Sequence, residues 1–213
     1  MGAATPGGAS RPAAWVVGAE AALGRALALH LAARGWRVAA SGGTAALGEL
    51  AAASQGAVVA CPLAEGLPAA RRAVATIQRI AGPLRLVVVA APAGWRRASA
   101  LIRVLGEAAE AAAGPAMGLQ VVVAGDGGVP EAAARRLRAE MAAAGLDLRL
   151  ARGTTDSSAA FAAAERLLAG LAGPDFEIAL APESPAAPRR RTGWRTGWRA
   201  WGRRWWARSC GRS

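Results

Sequence analysis

The segment Gly18-Ala-Glu-Ala-Ala-Leu-Gly24 has the residue types and spacing of a phosphate-binding turn between a strand and a helix. Gly18 suits a tight turn, and Gly24 lets the helix pack close to the strand. In such a turn the backbone approaches a pyrophosphate at the helix N-terminus. Candidate contacts are Gly18, Ala19, Leu23 and Gly24. Two departures weaken the site. Ala22 stands where the middle glycine would be, and Glu20 adds negative charge where two phosphates would sit. A second anchor is missing. Ser41-Gly-Gly-Thr44 offers neither an acid for a ribose 2′-hydroxyl nor an arginine for a 2′-phosphate. NAD or NADP binding is therefore expected to be weak or absent. Ala22→Gly with Glu20→Ser is expected to strengthen any that remains. The reading this motif favours over a weak dinucleotide site is a Gly-bounded turn retained for packing alone.

Other reactive groups are sparse. The chain has no lysine and no tyrosine, and all 26 basic residues are arginine. Schiff-base chemistry, a P-loop lysine and a tyrosine general acid are thereby excluded. Asp126-Gly-Gly reads as a turn, although an acid at a strand's C-terminal end is a candidate site residue. Thr154 to Ser158 reads as a helix cap, with Asp156 or Ser157 at the N-cap. Arg71-Arg72 and Arg96-Arg97 read as solvated helix-end charges. His30, the one histidine, lies mid-helix with no partner cluster and takes a structural or surface role. Cys61 and Cys210 form no CxxC pair, so neither a zinc site nor a disulfide framework is expected. A reduced, cytoplasmic setting fits them.

The elements that position these residues alternate along the chain. Apolar runs at 15–18, 36–40, 57–61, 84–91, 119–124, 146–151 and 176–180 predict strands. Ala/Leu/Arg patterns at 21–34, 44–53, 67–80, 95–113, 130–144 and 157–171 predict helices. The continuous Leu86-Val-Val-Val89 suits a strand buried on both faces. The alternation implies one Rossmann-like α/β domain over about 14–181, a doubly wound parallel sheet of about seven strands. Residues 1–13 read as a flexible N-terminus without signal-peptide character, and 182–188 as a Pro-rich linker.

Several of these stretches resemble the short-chain dehydrogenase/reductase family in order and spacing. Val17-Gly18-Ala19-(x)4-Gly24 resembles its Thr-Gly-x3-Gly-x-Gly opening. Cys61-Pro-Leu-Ala-Glu65 is similar to its strand ending in Asp-Val, and Gly82 to Pro92 to its Asn-Ala-Gly segment. Arg138 to Gly145 resembles the end of its active-site helix, and Ala151-Arg-Gly153 its Pro-Gly turn. The resemblance covers about 14–181 and adds Ala91 and Gly153 to the candidate cofactor contacts. It also marks what is lost. The family's Tyr-x3-Lys would fall near Val123 and Gly127, its serine near Ala124 and Gly125, and its asparagine at Ala90. No catalytic residue is assigned and no metal is implied. The family's habit of pairing subunits implies a homo- or hetero-dimer through Trp95–Ala113.

The charge is concentrated at one end. Of the net +12, residues 189–213 supply nine arginines and no acid, together with five of the eight tryptophans. Trp194, Trp198, Trp201 and Trp205 fall within roughly 60° of arc on a helix. Trp and Arg in this arrangement suit an anionic membrane interface. The reading that leads it is an unselected extension, and nucleic acid or an acidic partner comes third. Gly193, Gly197 and Gly202 oppose a helix, and Gly211-Arg212 after Cys210 is no prenylation signal. The leading functional reading is a non-catalytic, weakly nucleotide-binding or partner-binding protein. The alternatives are an NAD(P)-dependent oxidoreductase with unfamiliar residues and a cytoplasmic protein peripheral to the membrane through its tail.

Overall fold

The structure is a computed structural model describing residues 11–63, 67–90, 94–111, 119–125, 130–153 and 157–180. Ala91, Asp126, Gly127, Thr154 to Asp156, the side chains of Arg96 and Arg97, the linker and the tail lie outside the described residues.

Among the described residues, strands and helices alternate strictly. They are β1 (Ala13–Val17), α1 (Ala22–Ala33), β2 (Arg37–Ser41), α2 (Thr44–Ala53), β3 (Val58–Ala60), α3 (Leu67–Ala81) and β4 (Leu84–Val89). Then follow α4 (Gly94–Ala111), β5 (Leu119–Gly125), α5 (Glu131–Ala142), β6 (Leu146–Arg152), α6 (Ala160–Gly170) and β7 (Glu177–Ala179). The strands form one parallel sheet in the order β3-β2-β1-β4-β5-β6-β7. The expected doubly wound Rossmann-like sheet is the observed one.

Side-chain alternation along each strand splits the core into two layers. Trp15, Val17, Val87, Val89, Val121, Val123, Leu148 and Leu150 pack against α3, α4 and α5. Ala14, Val16, Leu86, Val88, Val122 and Ala151 pack against α1, α2 and α6. Burial on both faces is why Leu86 to Val89 of β4 reads as an unbroken apolar run. Trp15 is fully buried and its indole N–H donates to Ser41 Oγ at 2.9 Å. Ser41 Oγ in turn donates to the Cys61 carbonyl. This chain ties β1 to the ends of β2 and β3 and satisfies every polar atom in it.

Two expectations about helix starts are corrected. Pro130 is the N-cap of α5, and the helix begins at Glu131. Helix α6 begins at Ala160 with Ala159 as N-cap, so Ser157 does not take that position, and Asp156 lies outside the described residues. Ser157 to Ala159 form a turn that already winds in the helical sense, with Ala159 at φ −93 and ψ −4. A helix pattern read from sequence extends into such a turn.

Arg149 is a buried charge that the sequence reading passed over, 6% exposed on β6. Its guanidinium meets Asp147 through Nε at 2.8 Å and Nη2 at 2.7 Å. Nη1 donates to the carbonyls of Gly170, the last residue of α6, and Gly173 just beyond it. Asp147 and Arg149 are two apart on a strand and so share a face. The arginine thereby satisfies carbonyls that a helix C-terminus leaves open.

Candidate functional site

The strand order reverses between β1 and β4, and ligands of open α/β sheets bind at the C-terminal ends of strands beside such a reversal. Gly18 and Ala19 follow β1 there, and Ala90 follows β4. Ala90 N–H donates to Val17 O at 2.8 Å, closing the two strand ends together.

The geometry of the turn explains its glycines. Gly18 has φ +87, in the left-handed region that a side chain opposes. Its carbonyl accepts from Ala21 N–H at 3.0 Å. A Cβ on Gly24 would collide with Gly18 O and stand 3.0 Å from its carbonyl carbon. Helix α1 therefore lies against the turn at a distance only glycine permits. The N-cap of α1 is Ala21, without a side-chain cap bond. The N–H groups of Ala22, Leu23 and Gly24 have no acceptor within the helix, since the first turn never does. Side-chain caps are also absent at α2, α5 and α6, so an open helix start does not single out α1. What singles it out is its place beside the strand reversal, under the two glycines. Leu23 is buried among the residues against α1's face of the sheet, which leaves its backbone as the group facing a ligand.

Glu20 departs from the expected arrangement. Its carboxylate does not stand over the turn but reaches to the end of β2. A Cβ on Gly42 would overlap Oε2. The same absent Cβ would lie 3.2 Å from the amide nitrogens of Ala19 and Glu20, so the two loops touch. Gly18 N–H and Ala19 N–H both donate to Ser41 O, at 2.8 and 3.0 Å. Adjacency of loops more than 20 residues apart is not visible in sequence, which is why this position of Glu20 was missed.

The remaining candidates are dispersed. Gly153, at φ +143, ends β6 three strands from β1, about 14 Å at ordinary strand spacing. Only an extended ligand reaches both it and the turn. Val123 and Ala124 are buried in β5, at 5% and 2% exposure, and present no reactive group. Arg71 is exposed and paired with Glu107 of α4 at 2.6 Å, a solvated contact of small energetic weight. His30 packs edge-on against Phe161 of α6 with ring centroids 5.4 Å apart, and its buried Nε2 has no hydrogen-bond partner among the described residues. Its role is packing between helices. Burial pushes the Cys61 thiol pKa up, away from the reactive thiolate. No described group of His, Cys, Asp and Glu forms a metal site. No described helix is long and apolar enough to cross a membrane.

No protein-family model matches the sequence, and no curated protein does. Solved structures match throughout the fold. A short-chain dehydrogenase from Streptomyces avermitilis aligns with a TM-score of 0.65 at 17% identity, covering 81% of this chain and 89% of that one. A short-chain dehydrogenase/reductase family oxidoreductase from Aeromonas hydrophila aligns with a TM-score of 0.63 at 19% identity, over 81% of this chain and all of the other. The chain has the short-chain dehydrogenase/reductase fold. A variant of the actinorhodin polyketide ketoreductase, solved with NADPH, shares it with a TM-score of 0.57 at 16% identity. Within this fold the Gly18–Gly24 turn has a tight turn at Gly18 and a close helix contact at Gly24. Ala22 is the departure, and its methyl group is half-buried against the core layer beneath α1.

Proposed function

We propose that the chain is a degenerate member of the short-chain dehydrogenase/reductase family that binds a nicotinamide dinucleotide weakly and does not catalyse the family's carbonyl chemistry. The binding half is supported by one observation, the left-handed Gly18 and the sterically required Gly24 beside the strand reversal. A nucleotide's pyrophosphate would meet the open N–H groups of Ala22, Leu23 and Gly24, where the helix dipole favours an anion. A reduced nicotinamide held there would be the hydride source that the family's carbonyl chemistry needs, a transfer this chain does not complete. The non-catalytic half is supported by the sequence, which contains no Tyr, no Lys and no Asn at any position. The family's proton donor, the lysine beside it and the asparagine therefore have no counterparts in kind. General acid–base help of this sort is worth roughly 10²–10⁴-fold.

Calorimetric titration with NADH tests the binding half. Ala22→Gly is expected to tighten it about fivefold, roughly 1 kcal/mol, by letting the backbone approach the pyrophosphate. Unchanged affinity in that variant would show that the turn does not hold the phosphates.

The tail carries a separate proposal, attachment to an anionic surface through residues 189–213. It is supported by nine arginines and a tryptophan stripe within 25 residues. Each basic residue near such a surface contributes about 1 kcal/mol, screened within a Debye length. Full-length protein is expected to co-sediment with anionic vesicles at low salt, to be released by added salt, and to ignore neutral vesicles. A chain ending at residue 188 is expected to stay in the supernatant. Equal sedimentation of both chains would remove the tail from the account.

A further inference from the structure

We propose that Glu20 is the ribose-binding acid of this site, delivered from the β1–α1 turn, and that it makes the site select NAD(H) over NADP(H). The proposal rests on the reading of that turn as a nucleotide site. In dinucleotide-binding folds an acid at the end of the second strand accepts hydrogen bonds from the adenosine ribose. From Val38 through Leu47 this chain has neither an acid nor an arginine. The structure fills that place from the opposite loop, since Glu20 Oε2 lies over Gly42, the first residue past β2.

Gly42 leaves the room in which this carboxylate lies. Its backbone is not among the left-handed glycines, so no conformation demands glycine there. A Cβ there would push the flexible end of the Glu20 side chain aside and stand 3.2 Å from the amide nitrogens of Ala19 and Glu20. The two amide bonds from Gly18 and Ala19 to Ser41 O hold the loops in this register without help from side chains. Nearby polar groups are already engaged. Ser41 Oγ sits between the Trp15 indole and the Cys61 carbonyl, and Arg25 pairs with Glu49 at 2.8 Å. Glu20 is exposed, and no described side chain forms a hydrogen bond or ion pair with it. An ionised carboxylate is acceptor-only, with about four lone-pair sites. A ribose 2′,3′-diol offers it two O–H donors. A 2′-phosphate offers it only like charge, with no arginine on the loop after β2 to compensate.

Parallel titrations of full-length protein with NADH and NADPH decide the matter, with circular dichroism confirming that each variant is folded. The native chain is expected to bind NADH at least about tenfold more tightly than NADPH, or roughly 1.4 kcal/mol. Glu20→Gln should shrink the ratio to about threefold or less, and Glu20→Arg should invert it. Gly42→Ala, which evicts the carboxylate while leaving Glu20 in the sequence, should weaken NADH several-fold and shrink the ratio in the same way. Equal affinities in the native chain, or a ratio indifferent to all three variants, would overturn the role of Glu20 and leave the nucleotide site standing. Failure of both dinucleotides to bind would overturn the site and the role together.

Discussion

Gly24→Ala is expected to destabilise the protein by about 3 kcal/mol and to abolish NADH binding. Overpacking a tight contact ordinarily costs about 1–3 kcal/mol, and this site belongs at the upper end. The new methyl collides with backbone, which cannot swing aside as a flexible side chain would. It meets the Gly18 carbonyl and comes within 3.2 Å of Ala19 Cα. Relief requires either lifting α1 from the sheet or re-forming the turn. Lifting α1 exposes Leu23, Ala26, Leu27 and Leu31, all now buried. Re-forming the turn disturbs Gly18, which already holds a left-handed backbone, and breaks its two-loop contact at Ser41 O. For a chain of this size the loss corresponds to about 6–12 °C in Tm. Thermal unfolding with parallel NADH titration checks it. A variant within 1 kcal/mol of the native chain would mean that α1 slides away freely and that Gly24 is not a structural requirement.

Arg149→Met is expected to cost about 3–5 kcal/mol, the range for removing one partner from a buried ion pair. Methionine matches much of the length but none of the donors. Asp147 keeps only a longer contact with Arg138, at 3.6 Å. The carbonyls of Gly170 and Gly173 lose the donor that now serves them. Arg149→Lys should recover only part of the loss, because one ammonium cannot reach the carboxylate and both carbonyls in the fork geometry of a guanidinium. Urea unfolding of the three proteins gives the ordering native, Lys, Met. The effect belongs to stability alone, since Arg149 packs against α6 and not at the strand reversal. A stable Met variant would contradict the view that this arginine fastens the end of α6.

These two residues mark the difference between what sequence makes visible and what it hides. Leu86 to Val89 announces a strand with two covered faces because every side chain in it must be apolar. Gly18 and Gly24 announce a strand–helix junction because their spacing is set by local backbone geometry. The order of strands and helices follows from such local signals, and all thirteen elements stand within a few residues of where the pattern puts them. The start of α6 was misplaced because Ser157 carries a strong capping tendency that the chain does not use there.

Arg149 was hidden for the opposite reason. Asp147 and Arg149 alternating with leucines look like an outward-facing row, until the end of α6 is seen to lie over it. Glu20 was hidden in the same way. Local reading places its charge against a phosphate, whereas the fold turns it toward a glycine 22 positions along the chain. The missing acid after β2 was legible, but its replacement from another loop was not.

The central claim is that a dinucleotide is held at the β1–α1 turn and left chemically untouched. Nicotinamide fluorescence from one sample tests both parts. Purified full-length protein in excess over NADH is followed before and after a panel of aldehydes and ketones is added. The account predicts enhanced, blue-shifted emission on binding, and no decay of that emission after the carbonyl compounds arrive. Steady loss of the signal with matching alcohol formation, surviving rigorous removal of host reductases, would contradict it by showing hydride transfer. Emission identical to that of free NADH would contradict it by showing that nothing is bound.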